Sequence, residues 1–408
     1  MKKSFLVALM FAVVAVSSAM MAPNKSEAIP AFARQVGMAC SACHFQHFPK
    51  LNSFGRAFKL GGFTDVGDQE LIEDDHLSLP VVLNAAFVTK VRYQKASRDT
   101  QNGQAWAAND NGTIQFPDEA ALWLAGRMGE HWGAAIEKPN DAVSMKFVFS
   151  MPVAFGKAGL SVYTTDALGA AFGMELFNTS VQRSVRGFED RRSVYAAHST
   201  GVGSGASTGL TAFAGGDMFF AALGLQAPSA TANPGVSTAL NLGYNYRLNF
   251  TPQFAGFDLM IGLFGQGGKT SVQTAINTNT DFHTKFFGID FQAQGEVAGM
   301  TLEAQAMYVD AGDNTTAGVV GTVTNTVMYA QAKSWSANVE LGILPVAGLQ
   351  LAYMDYNGTA VATDWRALTL GAYWEMAQNI ELMINYSIKN GVARANKNEL
   401  TVLFETAF

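Results

Sequence analysis

From Pro80 to its last residue the chain alternates apolar and polar side chains with a period of two. Val236, Thr238, Leu240, Leu242, Tyr244, Tyr246 and Leu248 alternate with Ser237, Ala239, Asn241, Gly243, Asn245 and Arg247. Trp335, Ala337, Val339, Leu341 and Ile343 alternate with Ser336, Asn338, Glu340 and Gly342. The runs Leu368–Met376 and Ile380–Ile388 repeat the pattern. Successive side chains of a strand point to opposite faces, so each run makes one greasy face and one polar face. A soluble sandwich alternates too, but its strands are usually shorter and it needs no signature at the C-terminus. Here the last run, Leu400, Val402, Phe404, Thr406 and Phe408, ends on an aromatic residue. That ending resembles the assembly signal of bacterial outer-membrane barrels.

The connections point the same way. Short turns near Thr251-Pro252, Ala298-Gly299, Leu344-Pro345 and Gln378-Asn379 alternate with longer stretches near 94–117, 267–281 and 311–326. Outer-membrane barrels have tight periplasmic turns and long external loops. A sheet in lipid must close on itself, because an open edge leaves backbone groups without partners. With 40 glycines, 29 phenylalanines and only 15% charged residues, the composition suits such a wall. The expected fold is therefore all-β: a transmembrane barrel of about sixteen antiparallel strands, with fourteen and eighteen as the neighbouring counts, over residues 80–408. Residues 167–206 set that uncertainty. They read as one external loop folding inward, with a helical piece over Ala167–Asn178 and a charge cluster of Arg183, Arg186, Glu189, Asp190, Arg191 and Arg192. The competing reading is two further strands.

The chain opens with an export signal over residues 1–28. Lys2 and Lys3 precede the apolar stretch Phe5–Val16, and Ser26-Glu27-Ala28 reads as the cleavage site. The apolar stretch is too short to favour a membrane anchor. The net charge of −6 argues against a nucleic-acid partner.

The two cysteines of the chain stand in Cys40-Ser41-Ala42-Cys43-His44, the C-x-x-C-H pattern of c-type haem attachment. Two thiols at this spacing reach the two vinyl groups on one porphyrin edge, and the histidine that follows takes an axial position on the iron. A structural zinc site needs four ligands, and no second cysteine pair exists. A redox dithiol would sit in an alternating strand–helix pattern, which is absent. One covalent haem c is the expected cofactor, held by Cys40 and Cys43, with His44 as proximal ligand.

Residues 29–63 form the expected haem segment. A helix over Leu51–Leu60 ends at Gly61-Gly62, and Leu51, Phe54 and Phe58 share a face suited to cover the porphyrin. Arg34, Arg56 and Lys59 are candidates to pair the haem propionates, against ordinary solvated charge. So small a segment cannot bury enough surface to stand alone. The barrel is expected to be its wall, and the segment to plug the barrel's lumen. Residues 64–79 read as an acidic linker. It is either a solvated connector, a docking surface for a basic periplasmic electron carrier, or a transient trap for a metal cation.

The stretch Pro30-Ala31-Phe32-Ala33-Arg34-Gln35, the motif Cys40–His44, Pro49-Lys50-Leu51-Asn52, Phe54-Gly55-Arg56, Phe58-Lys59 and Gly61-Gly62-Phe63 resemble a known family. It is that of the fused cytochrome–porins of iron-oxidising bacteria. The likeness covers about thirty-five residues, with Val36 where relatives often carry Thr. It implies an oxidoreductase of the outer membrane that takes single electrons from Fe(II) at the cell surface. A periplasmic cytochrome c or copper protein would be the acceptor, with the iron left outside. Two alternatives stay open. One is a porin-like channel in which the haem is a structural or sensory plug. The other is an electron conduit for another donor, such as reduced sulfur or a solid surface.

The distal haem ligand is not named by the sequence. His76, if the linker folds back, Met38, another methionine or an open site all satisfy it. His47, three residues after His44, would point to the same side if both lay on one helix, and reads as a surface or propionate-contacting residue. Among the polar positions of the runs, Asp290, Glu296, Glu303, Glu340, Glu375 and Glu381 fit either the usual polar interior of a porin or a vestibule that concentrates cations.

Overall fold

The computed structural model describes residues 30–67, 69–98, 112–139, 143–165, 173–181, 185, 187–202, 207–228, 241–275, 278–283, 285–312, 315–317, 331–358, 364–391 and 396–408. The stretch read as an export signal, residues 1–28, lies outside them. Sixteen long strands among the described residues, from Ala85–Arg98 to Asn396–Ala407, form one closed antiparallel barrel. The last strand closes on the first, with Val402 opposite Tyr93 and Thr406 opposite Thr89. Phe408 takes part in this seam: its carbonyl accepts from the Phe87 N–H at 2.7 Å, and its N–H donates back at 3.0 Å.

The two faces of the wall identify the two media. On Ala332–Leu344, Trp335, Val339 and Ile343 are 43%, 40% and 44% exposed, whereas Ser336, Asn338 and Glu340 are 2%, 3% and 0% exposed. Leu223, Ile261, Leu349 and Leu370 repeat the outward apolar pattern on other strands. A soluble sandwich would bury the first set and wet the second. This wall does the reverse, which only a hydrocarbon solvent outside and a packed polar interior reward. Exposed aromatic residues collect near the short turns, where Phe155 and Phe219 meet at 5.6 Å between ring centroids and Trp132 and Phe149 at 4.9 Å. They form the interfacial girdle such barrels carry.

The expected strand runs hold, with two adjustments. Val236–Leu240 lie outside the described residues, and pairing there starts at Gly243. The stretches 267–281 and 311–326 are not plain loops: Lys269–Ala275, Thr278–His283 and Thr315–Ala317 pair into a separate three-stranded sheet.

Residues 166–206 are a single connection, because the strands on either side of it, Gly156–Thr165 and Ser207–Gly215, pair directly. The reading of two further strands is excluded. The connection folds into the lumen, where Met174, Phe177, Asn178, Tyr195 and Ala197 are buried. The expected helix over Ala167–Asn178 does not form over its described part, 173–178. The Glu175 carboxylate accepts from the N–H groups of Leu176 and Phe177, both at 2.9 Å, an arrangement that competes with helical pairing. The helix of this connection is instead Ala196–Thr200, tied to the wall by the Ala196 N–H on Ser336 Oγ at 3.0 Å.

The N-terminal segment enters from the end of the short turns. It has a helix α1 (Pro30–Val36), a 3₁₀ turn at Cys40–Ala42 and a helix α2 (Ser53–Leu60). Asn52 caps α2, its side chain accepting from the Gly55 N–H at 2.9 Å. The helix stops as its glycines direct. Gly62 adopts φ +72, and the N–H groups of Gly62 and Phe63 return to the carbonyls of Lys59 and Phe58. The Gly62 carbonyl also fills the place of the missing Cβ of Gly133, so the segment touches wall backbone at this point. Phe58, Leu60 and Phe63 pack with Val148, Phe213 and Phe220 of the wall and with Met174 and Phe177 of the inward connection. The linker that follows carries a small hairpin, Leu71–Glu73 with Ser78–Pro80.

Candidate functional site

The C-x-x-C-H motif lies in the segment that fills the lumen. The 3₁₀ turn brings the N–H groups of Cys43 and His44 to the Cys40 carbonyl at 2.9 and 2.8 Å. Cys40 is buried and Cys43 half-buried. His44 lies opposite Leu51 in a short antiparallel bridge. Across it the Lys50 carbonyl accepts from the Phe45 N–H at 2.9 Å and meets His44 Nδ1 at 3.0 Å. The Asn52 N–H donates to the Cys43 carbonyl at 2.9 Å. Gly55 on α2 faces the same carbonyl, and a Cβ there would stand 2.2 Å from it. Residues 50–55 thus form a tight support behind the motif.

These residues fit a c-type haem. The Nδ1 contact fixes the tautomer and leaves Nε2 free of it, the nitrogen that would face an iron, as second-sphere carbonyls do for metal-bound histidines. Desolvation, against the bonds to the Lys50 and Pro49 carbonyls, brings His44 down to about 4, so the ring is neutral near pH 7, the state that ligates iron. Burial pushes the Cys43 thiol up. Met38 and Phe54 are the large apolar side chains of residues 30–63 left exposed, at 42% and 44%, and a porphyrin would cover such surface.

The other anticipated residues are placed as follows. Arg34 donates to the Ala85 carbonyl of the first barrel strand. Arg56 pairs with Asp258, donates to Gln294 at 3.1 Å and lies 5.2 Å from the Phe177 ring centre. Lys59 is buried, and burial pulls it down to about 8 against the upward pull of Glu175. His76 is exposed on the linker hairpin, with its N–H on Asp74. Phe58 and Phe54 divide their labour: the first packs against the wall and only the second stays open.

His47 is a correction. It is neither a surface residue nor on a helix with His44. It is fully buried, with Nε2 3.0 Å from Glu340, Nδ1 2.6 Å from the Phe48 carbonyl and 3.4 Å from Glu381, and its ring 4.3 Å from that of Tyr373. Burial and Lys50 push its charged form down, but Glu381 and Glu340 outweigh them and hold it at about 9. Lys50 sits beside it, 2.8 Å from Glu303 and 3.0 Å from Glu340, with all three side chains inaccessible to solvent. Burial alone would lower Lys50, yet these carboxylates hold it above its ordinary value.

The expected lumenal acids are therefore mostly sealed. Glu303 and Glu340 are neutralised by the plug, and Asp290 by Arg247 at 2.6 Å. Arg247 also meets Glu175 of the inward connection at 2.7 Å. Glu375 is buried, Glu381 faces His47, and only Glu296 is exposed. This is a paired polar interior and not a free negative vestibule. Lys50, Arg247 and Asn178 are given no role by a reading of the sequence, and His47 is given the wrong one. Arg247 gives one signal, as a base on the polar face of a strand run.

No protein-family model matches the chain, and no curated protein does. Among solved structures it is similar to an anion-selective porin from Comamonas acidovorans, at 13% identity over 80% of this chain and 99% of that one, with a TM-score of 0.46. It is similar to OmpF of Salmonella typhi in complex with daunomycin, at 10% identity, 83% and 100% coverage and a TM-score of 0.48. A third is the outer-membrane channel DcaP of Acinetobacter baumannii, at 11% identity, 80% and 97% coverage and a TM-score of 0.44. These likenesses are of the barrel fold alone and bear on neither haem nor iron. The strand pairing and the lipid-facing wall make the chain a porin-like outer-membrane barrel, entered by its own N-terminal segment.

Proposed function

We propose that this porin-like barrel carries one covalent haem c on its plug and relays single electrons between the cell surface and the periplasm. The observation that carries the reading is the C-x-x-C-H turn inside the lumen, with His44 Nδ1 engaged by the Lys50 carbonyl. Cys40 and Cys43 would hold the porphyrin by thioethers, and His44 would ligate the iron. The haem supplies one-electron chemistry, with a potential set by its second axial ligand and its burial. The protein supplies the rest. Residues 50–55 fix the histidine, and the plug and wall exclude water from Lys50, Glu303 and Glu340.

Fe(II) is the donor that the family resemblance implies. One Fe(II) becomes Fe(III) outside, and one oxidised periplasmic cytochrome c or copper protein takes the electron. Ferric iron is insoluble near neutral pH, so a barrel that passes charge and not metal keeps the precipitate outside. His76 is proposed as the distal ligand, and Arg34, Arg56 and Lys59 as propionate partners once haem is seated.

The second reading is a channel with a structural or sensory haem plug. It is favoured by the strand number, since sixteen-stranded barrels enclose aqueous pores. Stopped-flow mixing of the oxidised protein with Fe(II) separates the two. Electron transfer predicts reduction of the haem band. No reduction, with ion conductance through the purified barrel, favours the channel. The same mixing with thiosulfate or sulfide tests the alternative donors.

A further inference from the structure

We infer that Asn178, on the inward-folded external connection, is a positioning residue of the haem site. The inference rests on the reading of a haem on His44. Asn178 grips Leu51 by both backbone groups: its Oδ1 accepts from the Leu51 N–H at 2.8 Å, and its Nδ2 donates to the Leu51 carbonyl at 2.9 Å. Leu51 is the residue opposite His44 in the bridge, and the peptide it shares with Lys50 contains the carbonyl that meets His44 Nδ1. One amide side chain from the outer face therefore sets the orientation of the group that orients the iron ligand.

Asn178 is itself fixed from behind. Its backbone N–H donates to Gln292 Oε1 at 2.8 Å, and its Nδ2 also reaches Glu303 Oε1 at 3.3 Å. Gln294 gives the Leu51 carbonyl a second donor at 3.1 Å and shares the same Glu303 oxygen at 3.0 Å. The other Glu303 oxygen holds Lys50 Nζ at 2.8 Å. The neighbouring Phe177 ring lies under the guanidinium of Arg56 on α2. The wall holds the loop, and the loop holds the peptide behind the histidine. Two parts of the chain that enter the lumen from opposite ends thus meet at this peptide.

The consequence is chemical. A carbonyl well aligned on Nδ1–H raises the basicity of the imidazole and favours the ferric state. Loosening Leu51 weakens that alignment and moves the midpoint potential upward. The test is a redox titration of detergent-purified wild type, Asn178→Ala and Asn178→Ser, each checked for covalent haem by mass. Ala removes both bonds and is expected to shift the potential upward, with haem retained and the barrel inserted. Ser adds no charge beside Glu303, reaches at most one of the two Leu51 groups and is expected to shift the potential upward by less. If Ala does not insert, the Ser variant carries the test through an upward shift of its own. A potential that is unchanged or lowered, in a variant with covalent haem, overturns the inference and leaves the haem reading standing. Wild type without covalent haem overturns both.

Discussion

Lys50 has no water to turn to. Its ammonium is shared by Glu303 and Glu340 in a region where no side chain of the three is exposed. Removing one member of a buried ion pair leaves the partner charged and unsolvated, which costs about 3–5 kcal/mol. Lys50→Ala is expected to weaken docking of residues 30–63 by that amount, read from urea dependence of protease protection of the plug. A loss below about 1 kcal/mol would show that the pair is solvated. His47 adds a pH dependence. Its folded value of about 9 lies above the ordinary 6.5, so its contribution is complete below 6.5 and is lost as pH rises through 9. Protease protection of the plug is expected to fall over that window in wild type and to flatten in His47→Gln; equal slopes would contradict it. The spacing of Cys40, Cys43 and His44 is a local pattern that stands in the chain itself, and the structure adds the 3₁₀ turn that carries it. The burial of His47 was not, because Glu340 and Glu381 lie hundreds of residues away and no local pattern announces a partner through space.

At the scale of elements, strands and helix ends read cleanly from the chain. The period of two placed the paired segments, and Gly61-Gly62 marked the end of α2 through the αL geometry that Gly62 adopts. The inward connection read less well. An inward-folding loop was one of two readings the chain left open, and its helix was misplaced, because the Glu175 side chain accepts from the N–H groups of Leu176 and Phe177 that follow it. The outward face of each strand makes a sharp prediction. Leu370 lies mid-strand in Trp365–Ala377 and is 50% exposed. An arginine at the bilayer midplane costs about 2–4 kcal/mol. Leu370→Arg is expected to lose that much in reversible urea unfolding from lipid vesicles, and a loss near zero would place this face in water.

At the scale of the whole molecule, a sixteen-stranded wall is wide enough to conduct, and the plug and the inward connection are what fill it. Arg247 joins wall to connection, Lys50 and Arg56 join wall to plug, and Asn178 joins connection to plug. Deleting residues 30–63 is expected to raise single-channel conductance in planar bilayers well above that of the intact chain. Equal conductance would mean that the segment does not seal the barrel. An intact, sealed barrel that still passes electrons is the central claim. The direct measurement seals oxidised cytochrome c inside proteoliposomes bearing the protein with its loops outward, and adds Fe(II) outside. The account predicts reduction of the enclosed cytochrome that requires Cys40, Cys43 and His44, with Fe(III) accumulating only outside. An enclosed cytochrome that stays oxidised while ions cross the membrane would contradict it.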